Sequence, residues 1–195
     1  MGYAIAEAAL AAGHNAMLIS GPVSIKPPRD TQLISISTSD EMFEAVQRHA
    51  DKCDVCVMCA AVADYKPAKV SSAKIKKRHE RFALDLVPTR DILDSLGRCQ
   101  NRQFVLVGFA AETENVEENA LKKLRAKNCD IIVANDVSGP DSGVESDVNE
   151  VTILFRDGEK TKISRSSKTI MARELVKIFL KFATKTFDKK NVTIN

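Results

Sequence analysis

The sequence predicts an α/β fold built on a doubly wound, mostly parallel sheet, and three observations carry that reading. Short apolar runs alternate along the chain with amphipathic stretches, the rhythm of right-handed βαβ units. The run DVCVMCA, residues 54–60, is apolar without polar alternation, as expected of a parallel strand covered on both faces. At 195 residues and 44% hydrophobic composition, the chain is long enough to bury one core without disulfides or metals.

The elements follow in order. Residues 3–12 are rich in alanine and leucine, and Gly13 stands where a helix C-terminal cap belongs, so a helix opens the chain. NAMLIS, 15–20, reads as a short buried strand closed by Gly21 and Pro22. QLISIST, 32–38, alternates like a second strand, and SDEMFEAVQRHA begins with a Ser or Asp cap and an acidic first turn, which marks a helix. FALDLV, QFVLVGFAAE and DIIVANDV continue the strands; TRDILDSLGRC and NVEENALKKLRAKN continue the helices. EVTILFRDGEKTKIS turns at Asp157 and Gly158, a late β-hairpin, before the helix SKTIMARELVKIFLKFA. A long loop is expected at 138–149. The whole reads as a single Rossmann-like domain over 1–188 with a tail at 189–195.

Composition narrows the function classes. A net charge of +3 and 5% aromatics lack the basic stripe with interleaved aromatics of a nucleic-acid binder, so no nucleic-acid partner is expected. No apolar run approaches the ~18 residues of a membrane helix, and no signal peptide opens the chain. A cytoplasmic protein without a membrane partner follows. Five cysteines, an odd number, fit reduced thiols. Cys53, Cys56 and Cys59 are spaced C-x-x-C-x-x-C, but on one strand Cys56 points away from the other two, so core packing is preferred to a metal site. His14, His49 and His79 form no metal or triad pattern, and no G-x-G-x-x-G occurs, which disfavours a nicotinamide enzyme.

In an open parallel sheet, ligands bind beyond the carboxyl ends of the strands. Those ends bring Asp64, Phe109, Glu112, Thr113, Asn135 and Asp136 to one crevice. The lysine-rich segment 66–77 supplies mobile ammonium groups suited to phosphates, although solvated lysines on a hairpin would look the same. Lys123 and Lys127 are four residues apart and share a helix face, a pairing that amphipathic helices also carry routinely.

The ordered motifs MGYAIAEAALAAGHNAMLISGPV, AAVADYKP, KIKK, GFAAET, KLRAKNCDIIVANDV and SDVNEVTIL together resemble the phosphopantothenate–cysteine ligase family, in its bacterial, CTP-using form. The resemblance spans residues 1 to about 170. It implies ligation of 4′-phosphopantothenate with L-cysteine in coenzyme A biosynthesis, through an acyl-cytidylate formed from CTP with Mg2+. It also implies a homodimer, approached through the KIKK hairpin or the late hairpin. Matched to the family pattern, Lys74 is the lysine that stabilises charge as the acyl-cytidylate forms. Asp64 is the nucleotide-binding aspartate, and Met58, Cys59 and Ala60 lie where the strand end meets cytidine. Phe109, Lys123 and Lys127 are further nucleotide contacts. Arg90, Asp91, Ile92 and Leu93 fall in TRDIL, which replaces the family's commoner NPDIL.

The family pattern has a first strand, a Gly-rich turn and an SNxSSGKMG segment before the MG that opens this chain. The expected sheet therefore lacks a central strand, which leaves neighbouring backbone groups to be paired otherwise. The flavin-containing decarboxylase domain that often precedes this one is absent too, so no flavin is expected. The alternative reading is a catalytically silent nucleotide-binding or dimerising remnant, which would bind CTP without releasing pyrophosphate.

Overall fold

Thr38, not the Ser or Asp expected from the sequence, caps the helix that anchors one side of the molecule. Its hydroxyl accepts from the Glu41 amide at 3.1 Å, while the Glu41 carboxylate accepts from the Thr38 amide at 3.0 Å. The reciprocal pair satisfies two amides that a helix start leaves free. The structure, a computed structural model, describes residues 1–77, 82–137 and 148–190, the side chains of 136 and 188–190 excepted. His79 and most of the loop expected at 138–149 lie outside the described residues.

The order is α1 (Gly2–Ala11), β1 (Met17–Ser20), β2 (Gln32–Ser35), α2 (Ser39–His49), β3 (Val55–Met58), β4 (Tyr65–Pro67), β5 (Leu86–Pro88), α3 (Ile92–Gly97), β6 (Val105–Glu112), α4 (Val116–Ala126), β7 (Ile131–Asp136), β8 (Val148–Phe155), β9 (Lys160–Ser167) and α5 (Lys168–Lys190). The main sheet has five strands in the order β3-β6-β7-β8-β9. It is parallel from β3 through β7 and antiparallel across β8 and β9, because the late hairpin folds back where a βαβ crossover would keep strands parallel. The sheet is therefore mixed.

β1 and β2 form a separate parallel pair, and among the described residues nothing pairs the remaining edges of β1 and β3. The sheet is interrupted where the family resemblance puts a central strand. β3, expected to be buried on both faces, is only half-buried along its length.

Two apolar layers clothe the main sheet. One packs Ile5 and Ala8 of α1 and Met171, Leu175 and Phe179 of α5 against Val107, Val133 and Ile153. The other packs Met42 and Val46 of α2, Ile92 and Leu96 of α3 and Leu124 of α4 against Leu106, Ile132 and Leu154. Side chains alternate faces along a strand, so adjacent residues such as Leu106 and Val107 feed opposite layers while both are wholly buried.

The segment FALDLV forms less strand than its sequence suggests. Only Leu86–Pro88 pairs, as β5, with the unforeseen β4, through the register Tyr65↔Pro88, Lys66↔Val87 and Pro67↔Leu86. Together they make the stem of a ribbon that carries Lys74. Pro67 and Pro88 fall in the non-hydrogen-bonded pairs, where an amide would point away from the partner strand, so the ladder loses no bond to them, and the ribbon's described residues from 68 to 85 are all exposed.

The cysteine spacing also behaves differently from expectation. Cys53 precedes β3, so strand alternation does not govern it. The Cys53 thiol donates to the Ala50 carbonyl at 3.1 Å and the Cys56 thiol lies 3.9 Å from the Met58 sulfur, while the proximity of the two thiols holds Cys53 below and Cys56 above the ordinary thiol value. Both pack into the layer beneath α2. Cys59 lies against the start of α1, where a Cβ on Gly2 would stand 2.9 Å from its Sγ, and burial raises its thiol.

Candidate functional site

Gly97 decides how the floor of the site is assembled. A Cβ there would lie 1.9 Å from the Lys127 carbonyl oxygen, a distance no side chain tolerates. Only glycine lets the C-terminal ends of α3 and α4 meet, and the Asn128 amide, donating to the Gly97 carbonyl at 2.6 Å, fastens the contact. Gly108 plays the matching part in β6. A Cβ on it would meet Ile132 at 2.7 Å and Leu93 at 3.0 Å, so α3 lies directly on the strand.

This packing forms a cavity of about 240 Å3 beyond the carboxyl end of β3 and beside β6 at Phe109. Met58 and Ala60 supply the end of β3, and Val62 and Asp64 the segment after it. Thr89, Arg90, Asp91, Ile92 and Leu93 supply the start of α3, Phe109 comes from β6, and Lys123 and Lys127 come from α4. Ten of the twelve residues expected at the site thus line one cavity. Cys59 and Lys74 do not: Cys59 turns toward α1, and Lys74 stands exposed on the ribbon. The ribbon springs from the cavity's edge, since Asp64 just before β4 and Thr89 just after β5 both line it. There the Thr89 amide donates to the Asp64 carbonyl at 2.8 Å, and the Thr89 hydroxyl to the Ala63 carbonyl at 2.6 Å.

Val62 and Thr89 were not singled out by sequence reasoning. Thr89 had a usable signal, because a threonine at the foot of an antiparallel stem is well placed to close it, but β4 was too short to recognise. Of the other polar strand-tip groups, Glu112 accepts from the Asn119 amide at 3.3 Å. Neither it, Thr113 nor Asn135 lines the cavity.

Three lining cations have different employment. The Lys123 ammonium donates to the Phe109 carbonyl at 2.8 Å, which ties α4 to the middle of β6 and keeps a positive charge at the cavity wall. The Lys127 ammonium lies 2.8 Å from the Asp91 carboxylate and 3.7 Å from that of Asp94. Hydrogen bonding to Asp91 raises the Lys127 pKa against desolvation. For Asp91, desolvation pushes upward, but the Lys127 hydrogen bond and the Asp94 amide outweigh it and hold the carboxyl below its usual range. Asp91 also caps α3 by accepting from that amide at 2.8 Å. Arg90 is turned outward: its guanidinium bonds Glu44 at 2.8 Å and lies 3.9 Å over the Phe43 ring. Its side chain is therefore engaged with α2, while its position still forms the cavity's edge.

Chemically, a pocket with an apolar wall of Met58, Leu93 and Phe109 and two ammonium groups on one side suits a flat base joined to an anionic group. Over residues 1–182 the chain matches the DNA/pantothenate metabolism flavoprotein C-terminal domain. The chain belongs to this family. It is 45% identical over 177 residues to the coenzyme A biosynthesis bifunctional protein CoaBC of Bacillus subtilis strain 168, covering 90% of this chain and 43% of that protein. The chain thus spans less than half the length of that curated relative. Among solved structures, it is similar to the C-terminal domain of a coenzyme A biosynthesis bifunctional protein CoaBC, with a TM-score of 0.77 and 38% identity over 96% of this chain and 82% of that one. A Cab2 variant in complex with phosphopantothenate-cysteine shares the fold, with a TM-score of 0.76 at 14% identity over 98% of this chain and 79% of that one. Among the described residues no helix is long and apolar enough to cross a membrane.

Proposed function

We propose that this chain joins 4′-phosphopantothenate to L-cysteine at the expense of CTP, as a cytoplasmic step of coenzyme A biosynthesis. A carboxylate oxygen of phosphopantothenate attacks the α-phosphorus of CTP, and pyrophosphate leaves with the bonding electrons. The cysteine amine then attacks the resulting acyl carbon, CMP leaves, and the nitrogen loses a proton to give the amide. The observation that supports this most is the gathering of Asp64, Phe109, Lys123 and Lys127 around one cavity in a member of a family whose relatives serve coenzyme A biosynthesis.

The residues divide the work by position. Met58, Ala60 and Phe109 bound the space for the cytosine and ribose, with Asp64 as acceptor for a base or sugar donor. Lys123 and Lys127 face the phosphates. Lys74 is delivered by the ribbon to the α-phosphate, where an ammonium gains most as negative charge grows on oxygen. Asp91, Ile92 and Leu93 form the floor, and Arg90 contributes backbone and edge.

Among the described residues no group of three His, Cys, Asp or Glu side chains could cage a metal. In this reading Mg2+ is carried in on phosphate oxygens, with waters completing its shell. When bound, the metal would draw charge from the phosphate oxygens. The flavin in the family's description is assigned to a domain outside these residues, and none is proposed here.

A homodimer is part of the proposal. The ribbon exposes Tyr65, Val70, Ile75 and Phe82, Val70 to 88%, and a concentration of exposed apolar side chains marks an association surface. One observation favours a second reading, nucleotide binding without turnover: among the described residues no strand pairs the facing edges of β1 and β3, which interrupts the sheet beside the cavity.

Pyrophosphate release decides between them. The ligase reading expects release that requires CTP and phosphopantothenate together. CTP binding without release supports the silent reading. Absence of CTP binding contradicts both.

A further inference from the structure

We propose that Asp40 is a positioning residue that fastens both roots of the β4–β5 ribbon to helix α2 and so sets where the ribbon carrying Lys74 leaves the cavity. The inference rests on the functional reading above only for its kinetic consequence. Lys66, the middle residue of β4, forms an ion pair with the Asp40 carboxylate. Arg90, two residues beyond β5, places its Nε 3.4 Å from the other oxygen of the same carboxylate. One acid therefore holds a cation from each side of the ribbon.

The support behind this acid is firm. Asp40 lies in the first turn of α2, where the helix N-terminus favours a negative charge. The helix buries Met42, Ala45 and Val46 in the core. Arg90 is further fixed by Glu44 and by the Phe43 ring, residues of that same helix. Beyond its roots the ribbon is exposed at every described position from 68 to 85, so burial does not orient it. Asp40 does not line the cavity, which separates this role from substrate contact. A displacement of about 1 Å at the reacting atoms can cost ~100-fold in rate, so a modest loosening at the roots is enough to be read kinetically.

The test compares the whole chain with Asp40→Asn and Asp40→Glu variants. With active wild type, Asp40→Asn should lower kcat about 10-fold while KM for CTP stays within about 3-fold, with a thermal midpoint lower by no more than a few degrees from the lost helix-terminal charge. Asp40→Glu should recover most of the rate. A wild-type kcat in Asp40→Asn, or a loss that tracks a midpoint lowered beyond that, overturns the proposal. Hydrogen exchange supplies an arm independent of turnover. The amides of Lys66 and Val87 should exchange several-fold faster in Asp40→Asn, while those of β6 stay protected. Unchanged exchange at the stem overturns the proposal even if the wild type proves inactive, whereas faster exchange in an inactive protein sustains the anchoring and removes only the ligase reading.

Discussion

Asp91 and Lys127 link the floor of the cavity to its cationic wall, and their charges should be readable in the pH dependence of stability. The Asp91 carboxyl is held below its usual range, so its contribution is complete above the unfolded value near 3.9 and fades as pH falls through the lower folded value. The Lys127 ammonium is held above its usual range, so its contribution is complete below about 10.4 and fades as pH rises through the higher folded value. Asp91→Asn keeps a side-chain cap for α3 but removes the charge. Its thermal midpoint should therefore fall short of wild type by a constant amount from about pH 5 to 9, and the gap should narrow as pH drops below about 4; a gap independent of pH would show that the charge does not matter. Lys123→Met is expected to weaken CTP binding about 10-fold, measured by calorimetry, whereas Lys74→Gln should leave binding nearly intact and reduce pyrophosphate release by at least ~100-fold. The family resemblance named these lysines by position, but sequence could not show that Lys123 leans on the Phe109 carbonyl. Nor could it show that the Arg90 guanidinium faces Phe43, because both depend on contacts between residues far apart in the chain.

At the scale of elements, helices with strong local signals were legible, while of the ribbon only the hairpin around KIKK and a strand at FALDLV were anticipated, and β4 was not. The acidic first turn announced α2, although the cap fell one residue earlier because the Thr38 hydroxyl and the Glu41 carboxylate satisfy each other. Thr38→Ala should cost about 1 kcal/mol in chemical denaturation. β4 and β5 are three residues each, too short for a period of two to register, and each contains a proline that argues against a strand. They form because the two segments cross beside the cavity and pair as an isolated ribbon. In sequence Gly97 is one of the residues inside the expected helix TRDILDSLGRC. Its real constraint is the approach of the Lys127 carbonyl, so Gly97→Ala should destabilise by about 1–3 kcal/mol and weaken CTP binding as α3 shifts from α4. Normal stability in this variant would contradict the packing account.

At the scale of the whole molecule, a further stabilising pair lies toward the start of the parallel strands, away from the cavity. Arg102 and Asp130 form a nearly buried ion pair at 2.7 Å near the start of β7, where the same aspartate oxygen accepts from the Leu106 amide at 2.8 Å. Asp130→Ala leaves an unpaired arginine in the interior and should cost about 3 kcal/mol or more, yet at a temperature where the variant is folded its KM for CTP should match wild type. The α/β class and the late hairpin were visible in sequence because periodicity and turn residues encode them locally. The division of the sheet into a pair and a five-stranded part was anticipated only through the family pattern, since no residue in β1 or β3 advertises an unpaired edge. The central claim is that the cavity activates an acid on CTP before cysteine takes part. Quenched single-turnover reactions of the chain with phosphopantothenate and CTP, without cysteine, test it most directly. The account predicts about one equivalent of pyrophosphate per active site together with an acyl-cytidylate that cysteine then converts to amide and CMP; pyrophosphate release that starts only after cysteine is added would contradict it.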